Sequence, residues 1–477
     1  MRYITKTDLL IIGMNSGYLM IGIGLMCLVP IIFDLVYFEF NIACFAIPAA
    51  ISICFGLFLR RYLNEYSTRN VRLKHGMIIS ALGWLWAAII GGIVIMLATH
   101  TPIIDSVFES MSALTGTGIT MFSDVESLPQ SILFFRAFEQ WIGGLGVVVI
   151  VISILTKPGT ATSTLYHAEA HEDRIKPSTK ATLEQTIKIY GIYTVAGVIL
   201  YIIAGMPVFD SICNTFTIIS TGGMNVKNAN MGFYQSDLIY FITIVLMIIG
   251  ATSFLAHYKV IKSRGRSLIE DLQFKVIICV IAVVSLLIYF VSNIVPIEIV
   301  FIVVSALTTT GANVAPSTVM ATWPAFVIIC IIFLMLTGGS NGSTVGAIKL
   351  VRILTFFKGV YKHIREIMSP KGRVVPVKIH DRVIPDKAVA ESGNFITLYL
   401  LFIMITWTLF CLLGYDPFKS LFSVVSLQGN NGLDLGILNN ELNPILKIIS
   451  MFNMWIGRLE IYPVLITLRT AFEIFKR

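Results

Sequence analysis

Long apolar runs recur along the chain, separated by short polar or basic stretches. A run of about 18 or more apolar residues can cross the hydrocarbon core of a bilayer as a helix. Runs near 9–30, 38–59, 76–98, 132–156, 187–206, 237–258, 274–295, 323–357, 393–414 and 444–468 meet that test, the eighth with an interruption. Ten spans are therefore expected. The first follows Arg2 and Lys6 with no small-residue cleavage site, so it reads as a retained helix, not a removed leader.

Composition points the same way. Of 477 residues, 56% are hydrophobic and 13% charged, and mean hydropathy is +0.83. Soluble domains carry about 25% charged residues, so most of this surface must face lipid. Disorder, a collagen-like chain and a disulfide scaffold are excluded on the same grounds. The seven cysteines (27, 44, 54, 213, 279, 330 and 411) stand singly, with no CxxC pair for redox chemistry or zinc.

Net charge is +8, and its placement decides its meaning. Of the 35 Lys and Arg, 30 lie before the first span, after the second, fourth and sixth spans, after the break in the eighth, or at the end of the chain. Basic residues collect on the cytoplasmic side of membrane proteins. Both termini are expected to be cytoplasmic, in an integral protein of the cytoplasmic membrane that contacts lipid. The basic excess is a topology signal, and no nucleic acid partner is expected.

The opposite connections carry few charges, and four share a pattern. They read FESMSALTGTGIT (Phe108 to Thr120), FDSICNTFTIISTGGMN (Phe209 to Asn225), IEIVFIVVSALTTTGAN (Ile297 to Asn313) and FKSLFSVVSLQGNNGLD (Phe418 to Asp434). Each has about three helical turns of apolar residues, then Thr, Ser or Asn, then Gly. Non-helical backbone at membrane depth is tolerated only where protein buries it or it lines a water-filled cavity. A short helix entering from outside points its partially negative end inward, toward a cation. Glycine lets the following backbone turn its carbonyls to an axis, where they can replace an ion's hydration shell.

Three further segments complete the picture: ILFFRAFEQWIGGLGVVVI after the first loop, LTGGSNGSTVGAIKLVR inside the eighth span, and MWIGRLEIYPVL near the end. With the four loops in order, the chain resembles, over nearly its whole length, the TrkH-type potassium uptake subunits of the Trk/Ktr/HKT superfamily. The resemblance implies an all-α membrane protein with two N-terminal helices and four M1–pore loop–M2 repeats around one central pore. Boundaries would fall at 1–70 for the extra helices, then 71–180, 181–268, 269–390 and 391–477 for the repeats. It also implies a homodimer and a TrkA-type cytoplasmic ring that binds nucleotide (ATP/ADP or NAD), with no cofactor in this chain and K+ as the transported ion.

Aligning the loops on their ends puts the family's filter glycines at Gly118, Gly222, Gly311 and Gly432, with Gly223 replacing Gly222 if the second register slips by one. Gly116 and Thr117, Ser220 and Thr221, Thr309 and Thr310, and Asn430 and Asn431 would supply further carbonyls. The first loop departs from the family at Gly116, where Thr is common, and the fourth departs from the usual NN-x-GPGLG. In this superfamily Ser at the first filter glycine accompanies sodium permeation, so Gly118 points to potassium. The open alternatives are an ion-coupled secondary transporter and a sodium-permeable member of the superfamily.

Residues 337–347 break the eighth span. Gly338, Gly339, Gly342 and Gly346 each disfavour helix by about 1 kcal/mol relative to Ala. A plain inter-helix loop is one reading. The resemblance gives the sharper one, an intramembrane gate that includes Ser340 and Asn341, with Lys349 facing the inner vestibule and Arg458 projecting toward the pore. Arg458 with Glu460 could instead form a local contact. Charges inside a span are functional candidates by default. Arg136 and Glu139 read as interfacial structure, and Glu109 and Asp210 as acids at pore-helix starts. The cluster His167, Glu169 and His171 lacks metal-site spacing, and Gly143–Gly146 reads as helix packing. No nucleophile–base pair or paired carboxylate suggests an enzyme.

Overall fold

The structure, a computed structural model, describes residues 4–66, 71–146, 179–263, 268, 270–370, 376–379 and 382–476. Lys157, Arg174 and Lys176, the His167, Glu169 and His171 cluster and the second half of the expected span at 132–156 lie outside them. The described chain is helical apart from a two-stranded antiparallel ribbon, Val377–Ile379 with Arg382–Ile384.

Two long helices, Lys6–Met26 and Ile42–Tyr62, come first. They pack through small residues, as helices do in lipid, where close backbone approach replaces the hydrophobic drive. A Cβ on Gly17 would sit 2.8 Å from the Gly56 carbonyl oxygen, and one on Gly24 would sit 2.7 Å from that of Ala49.

A unit of lead helix, short helix, loop and return helix then recurs four times. The lead helices are Leu73–Thr99, Thr179–Ile203, Leu272–Val291 and Asp386–Leu412. The short helices are Ile103–Thr115, Val208–Ile219, Pro296–Leu307 and Pro417–Gly429. The return helices are Gln130–Leu145, Asp237–Ala251, Ala325–Thr337 and Pro444–Arg458. Proline opens every short helix, as N-cap (Pro102, Pro207) or within the first turn (Pro296, Pro417). Its fixed φ suits a helix start and its missing N–H costs nothing there.

The sequence pattern expects continuous return spans at 237–258 and 444–468, and the structure corrects both. The second return helix bends by 105° between Ala251 and Phe254. The fourth stops at Arg458, passes through Glu460 and Ile461 at φ +58° and +68°, and resumes as Tyr462–Phe475. The first ends at Leu145, before Gly146 at φ +91°. Within the described residues the second, third and fourth return helices are therefore interrupted, not the third alone. Among the described residues six helices are long and apolar enough to cross a membrane unaided, or seven with the bent pair. Apolar composition hides such breaks, because the freed backbone groups are satisfied by tertiary partners.

Candidate functional site: a ring of four glycine loops

The four short helices end in one repeated backbone figure. Thr117, Gly222, Thr310 and Asn431 each donate an N–H to the carbonyl five residues back, on Ser112, Thr217, Ser305 and Ser426, at 2.9, 2.8, 2.9 and 2.9 Å. The residues just before these donors, Gly116, Thr221, Thr309 and Asn430, have φ of +72°, +54°, +49° and +51°. Those just after, Gly118, Gly223, Gly311 and Gly432, have φ of +86°, +70°, +73° and +98°. A left-handed conformation costs a Cβ-bearing residue about 1–3 kcal/mol, which Thr221, Thr309 and Asn430 bear at the first position; at the second position the approach of the neighbouring loop adds a steric bar that only glycine passes.

The loops then close on one another. A Cβ on Gly118 would lie 2.2 Å from the carbonyl oxygen of Gly222, on Gly223 2.0 Å from that of Thr310, on Gly311 1.9 Å from that of Asn431, and on Gly432 2.0 Å from that of Thr117. Each glycine meets the next loop and the fourth meets the first, so the backbone forms a closed ring. The figure also fixes the second register: Gly223, not Gly222, is the counterpart of Gly118, Gly311 and Gly432. Ser220 falls one residue earlier, as the C-cap of its helix.

Buried polar pairs brace the loops from behind. Glu109 lies mid-helix, not at a helix start, is fully buried, and accepts from the Thr120 hydroxyl and the Met121 N–H. Arg136 pairs with it at 2.7 Å, and the Ser110 hydroxyl donates to Glu139 at 2.7 Å. Arg136 and Glu139 are therefore buried struts and not interfacial residues. In the fourth repeat the acid has moved to the loop, where Asp434 accepts from Ser423. Asp210 does sit in the first turn of its helix and accepts from the Tyr234 hydroxyl at 2.8 Å. On the side where the short helices begin, a cavity of about 260 Å³ opens over the ring, bordered by Gly118, Gly311, Gly432, Asn225, Asn230 and Asp434.

On the other side, the break in the third return helix packs against the ring. Gly338 and Gly342 hold φ of +68° and +71°. Ser340 donates its N–H to the Ala251 carbonyl and Phe254 to that of Gly342, so two broken helices satisfy each other's freed groups. Asn341 donates its N–H to Gln273, and the Gly339 carbonyl accepts from Leu350. Thr344 meets the Thr221 hydroxyl at 3.0 Å, and the Gly346 N–H donates to the Thr309 hydroxyl at 3.0 Å. A Cβ on Gly346 would lie 2.3 Å from the Gly429 carbonyl oxygen, leaving no room for one.

Arg458 reaches this loop from the fourth return helix. It donates to the Thr344 carbonyl at 2.7 Å and to those of Gly143 and Gly144. Glu460 receives Lys349 at 3.0 Å and also pairs with Arg352. Gly143 itself packs against the backbone of Leu114, as a small-residue contact. Sequence reasoning missed Gln140 and Thr344 as binders of these segments, and offered Glu460 as a local partner of Arg458, whereas it receives Lys349 and Arg352. The one available signal was that each is polar inside an apolar run. No group of three or more metal-binding side chains occurs among the described residues.

A helical membrane protein with four repeated loops closed around one axis belongs among ion-translocating proteins, not enzymes. A family model described as TrkH, a cation transport protein, matches residues 42–474. An uncharacterised cation transporter of Methanocaldococcus jannaschii is 37% identical over 98% of this chain and 97% of its own. The Trk system potassium uptake protein TrkH of Salmonella typhimurium is 29% identical over 86% of this chain and 88% of its own. The crystal structure of the potassium transporter TrkH from Vibrio parahaemolyticus superposes with a TM-score of 0.85 at 26% identity, covering 96% of this chain and 98% of the other. The chain belongs to the TrkH family of cation transport proteins and is an integral membrane protein.

Proposed function

We propose that this chain carries potassium across the cytoplasmic membrane through a channel-like pore whose filter is the ring of four loops. The observation that carries this reading is the cyclic contact of Gly118, Gly223, Gly311 and Gly432 with the neighbouring loop. Such a ring presents carbonyl oxygens in place of water around a dehydrated cation. Filter carbonyls come from Gly116–Gly118, Ser220–Gly223, Thr309–Gly311 and Asn430–Gly432. Potassium as the ion is supported by the relatives named as potassium uptake proteins.

The segment Gly338–Lys349 is the gate in this reading, because it lies across the ring on the side away from the short-helix starts and Arg458 ties it there. Each lead–short–return unit is one repeat, with boundaries near 71, 181, 269 and 391. The basic excess puts both termini in the cytoplasm. The protein acts as a homodimer, and a TrkA-type nucleotide-binding ring docks on its basic cytoplasmic face. No nucleotide acts on this chain directly.

An ion-coupled secondary transporter is the second reading, and the interrupted return helices favour it more than a single break would. Such transporters pair their breaks in inverted halves. Here the described breaks recur in three of four like units beneath one ring, which favours the pore. The test is flux into liposomes holding the purified chain, under rubidium or sodium gradients with no second ion. Passive uptake that prefers rubidium supports the pore. Uptake that requires a proton or sodium gradient overturns it.

A further inference from the structure

In three of the four loops the side chain that precedes the ring glycine is hydrogen-bonded, within its own loop in the first and third and to the neighbouring third repeat in the fourth. Thr117 bonds the Thr115 hydroxyl at 2.8 Å, Thr310 that of Thr308 at 2.7 Å, and Asn431 donates to the Ala306 carbonyl at 2.9 Å. The serine at the head of the figure helps as well. Ser112 donates to the Ile119 carbonyl and Ser305 to that of Ala312, both at 2.6 Å, and Ser426 accepts from the Gly432 N–H at 3.0 Å. The second loop lacks both devices. Its residue before the ring glycine is Gly222, with no side chain, and Thr217 donates back to the Asn214 carbonyl instead.

Gln140 of the first return helix fills the gap. Its amide nitrogen donates to the Gly222 carbonyl at 2.8 Å and its amide oxygen accepts the Met224 N–H at 3.1 Å. The side chain is fully buried. A Cβ on Gly222 would come within 2.5 Å of it, so its presence explains the double glycine at 222–223. The same nitrogen lies 3.6 Å from the Cβ position of Gly118, in the corner between the first and second loops. Aligning the return helices on the glycines that touch the short-helix backbone, Gly143, Gly250 and Gly457, the equivalent places hold Met247 and Met454. The amide is thus absent from the second and fourth return helices and stands at the corner whose loop has no side chain before its ring glycine.

We propose that Gln140 is a selectivity-positioning residue: its two-pronged amide holds the Gly222 carbonyl in the ring, supplied from a neighbouring repeat. This rests on the potassium-pore reading above. One hydrogen bond runs straight to a ring carbonyl, so replacing the donor frees that oxygen to move inward around a smaller ion. Gln140→Glu keeps the shape and the acceptor for Met224 but, assayed at a pH where the carboxylate is ionised, removes the donor to Gly222. Gln140→Met keeps the approximate volume, copies the second and fourth repeats, and removes both bonds.

The test compares rubidium and sodium uptake in liposomes for the parent, Gln140→Glu and Gln140→Met, alongside thermal stability in detergent. The expected result is a rubidium-to-sodium ratio lowered at least fivefold in both variants, with rubidium uptake kept within about threefold of the parent. A parental ratio in either folded variant overturns the inference. So does loss of folded protein in both, which would make Gln140 a folding element. A parent that does not prefer rubidium overturns the potassium reading itself, and the parental arm reads that separately.

Discussion

Arg458 donates to the Thr344 carbonyl at 2.7 Å, from the fourth return helix to the middle of the broken third one. Bonds from the same guanidinium to Gly143 and Gly144 make it a three-way tie between the first, third and fourth repeats. A hydrogen bond to a charged group contributes about 1.5–3 kcal/mol. Arg458→Ala should therefore release the loop and raise rubidium uptake by about tenfold, since about 1.4 kcal/mol shifts an equilibrium by that factor. The rubidium-to-sodium ratio should hold, because the ring is untouched. Uptake at or below the parental level in a stable variant would show that the tie does not restrain conduction.

The second-loop register has its own test. Gly223 has φ +70° and would place a Cβ 2.0 Å from the Thr310 carbonyl oxygen, which is rigid backbone. A Cβ on Gly222 would meet the end of the Gln140 side chain, which can yield. Gly223→Ala should abolish selective uptake, whereas Gly222→Ala should retain a measurable part of it. The reverse order would return the filter position to Gly222.

Selectivity at the first loop is expected to change at Gly118. Gly118→Ser adds a side chain where the Gly222 carbonyl oxygen leaves 2.2 Å, so one quarter of the ring must shift. Sodium uptake should rise relative to rubidium. An unchanged ratio would remove Gly118 from the filter.

The fold was legible to the extent that periodicity and repetition carry it. The alternation of apolar spans and the SALTGTG and SALTTTG loops stand in the sequence, and the loops do converge. The break at Thr252 was not legible, because Ala251 and Gly250 find partners in Ser340 and Thr344, far along the chain, and the one at Glu460 was not, because its left-handed positions, Glu460 and Ile461, are neither Gly nor Asn. The register at Gly222 or Gly223 was ambiguous for a related reason. Two adjacent glycines look alike until the bond from Gly222 to Thr217 and the contact with Gln140 separate them. Glu109 reads by position as an acid at a helix start and Arg136 as interfacial structure, and only packing makes them a buried pair.

That pair predicts a stability effect. Both side chains are nearly inaccessible, at 0% and 3% exposure. Removing one partner of a buried ion pair costs about 3–5 kcal/mol, because the other charge stays buried without compensation. Glu109→Gln or Arg136→Met should each lower thermal stability sharply in detergent. The double variant should recover part of the loss, although the Met121 N–H bond to Glu109 remains weakened. Additive losses in the double variant would mean that the two residues act independently.

Glu460 tests the charge beside the proposed gate. Its carboxylate receives Lys349 and Arg352, and the three side chains are 8–22% exposed, so solvent reaches them in part. Arg458, two residues earlier, runs instead to Thr344, Gly143 and Gly144. In the pore reading, Glu460→Gln would leave two cations beside the proposed path of a permeating cation. Two unit charges at about 4 Å repel by about 4 kcal/mol at an effective dielectric near 20, and partial hydration lowers that figure. Rubidium uptake should therefore fall severalfold, opposite in sign to Arg458→Ala. The deficit should shrink at high ionic strength, because salt screens partly exposed charges. Lys349→Gln in the Glu460→Gln background should restore uptake by removing one of the freed cations. If Glu460→Gln raises uptake instead, its main role is to hold the start of the Leu350–Ile367 helix against the gate, and the electrostatic account fails.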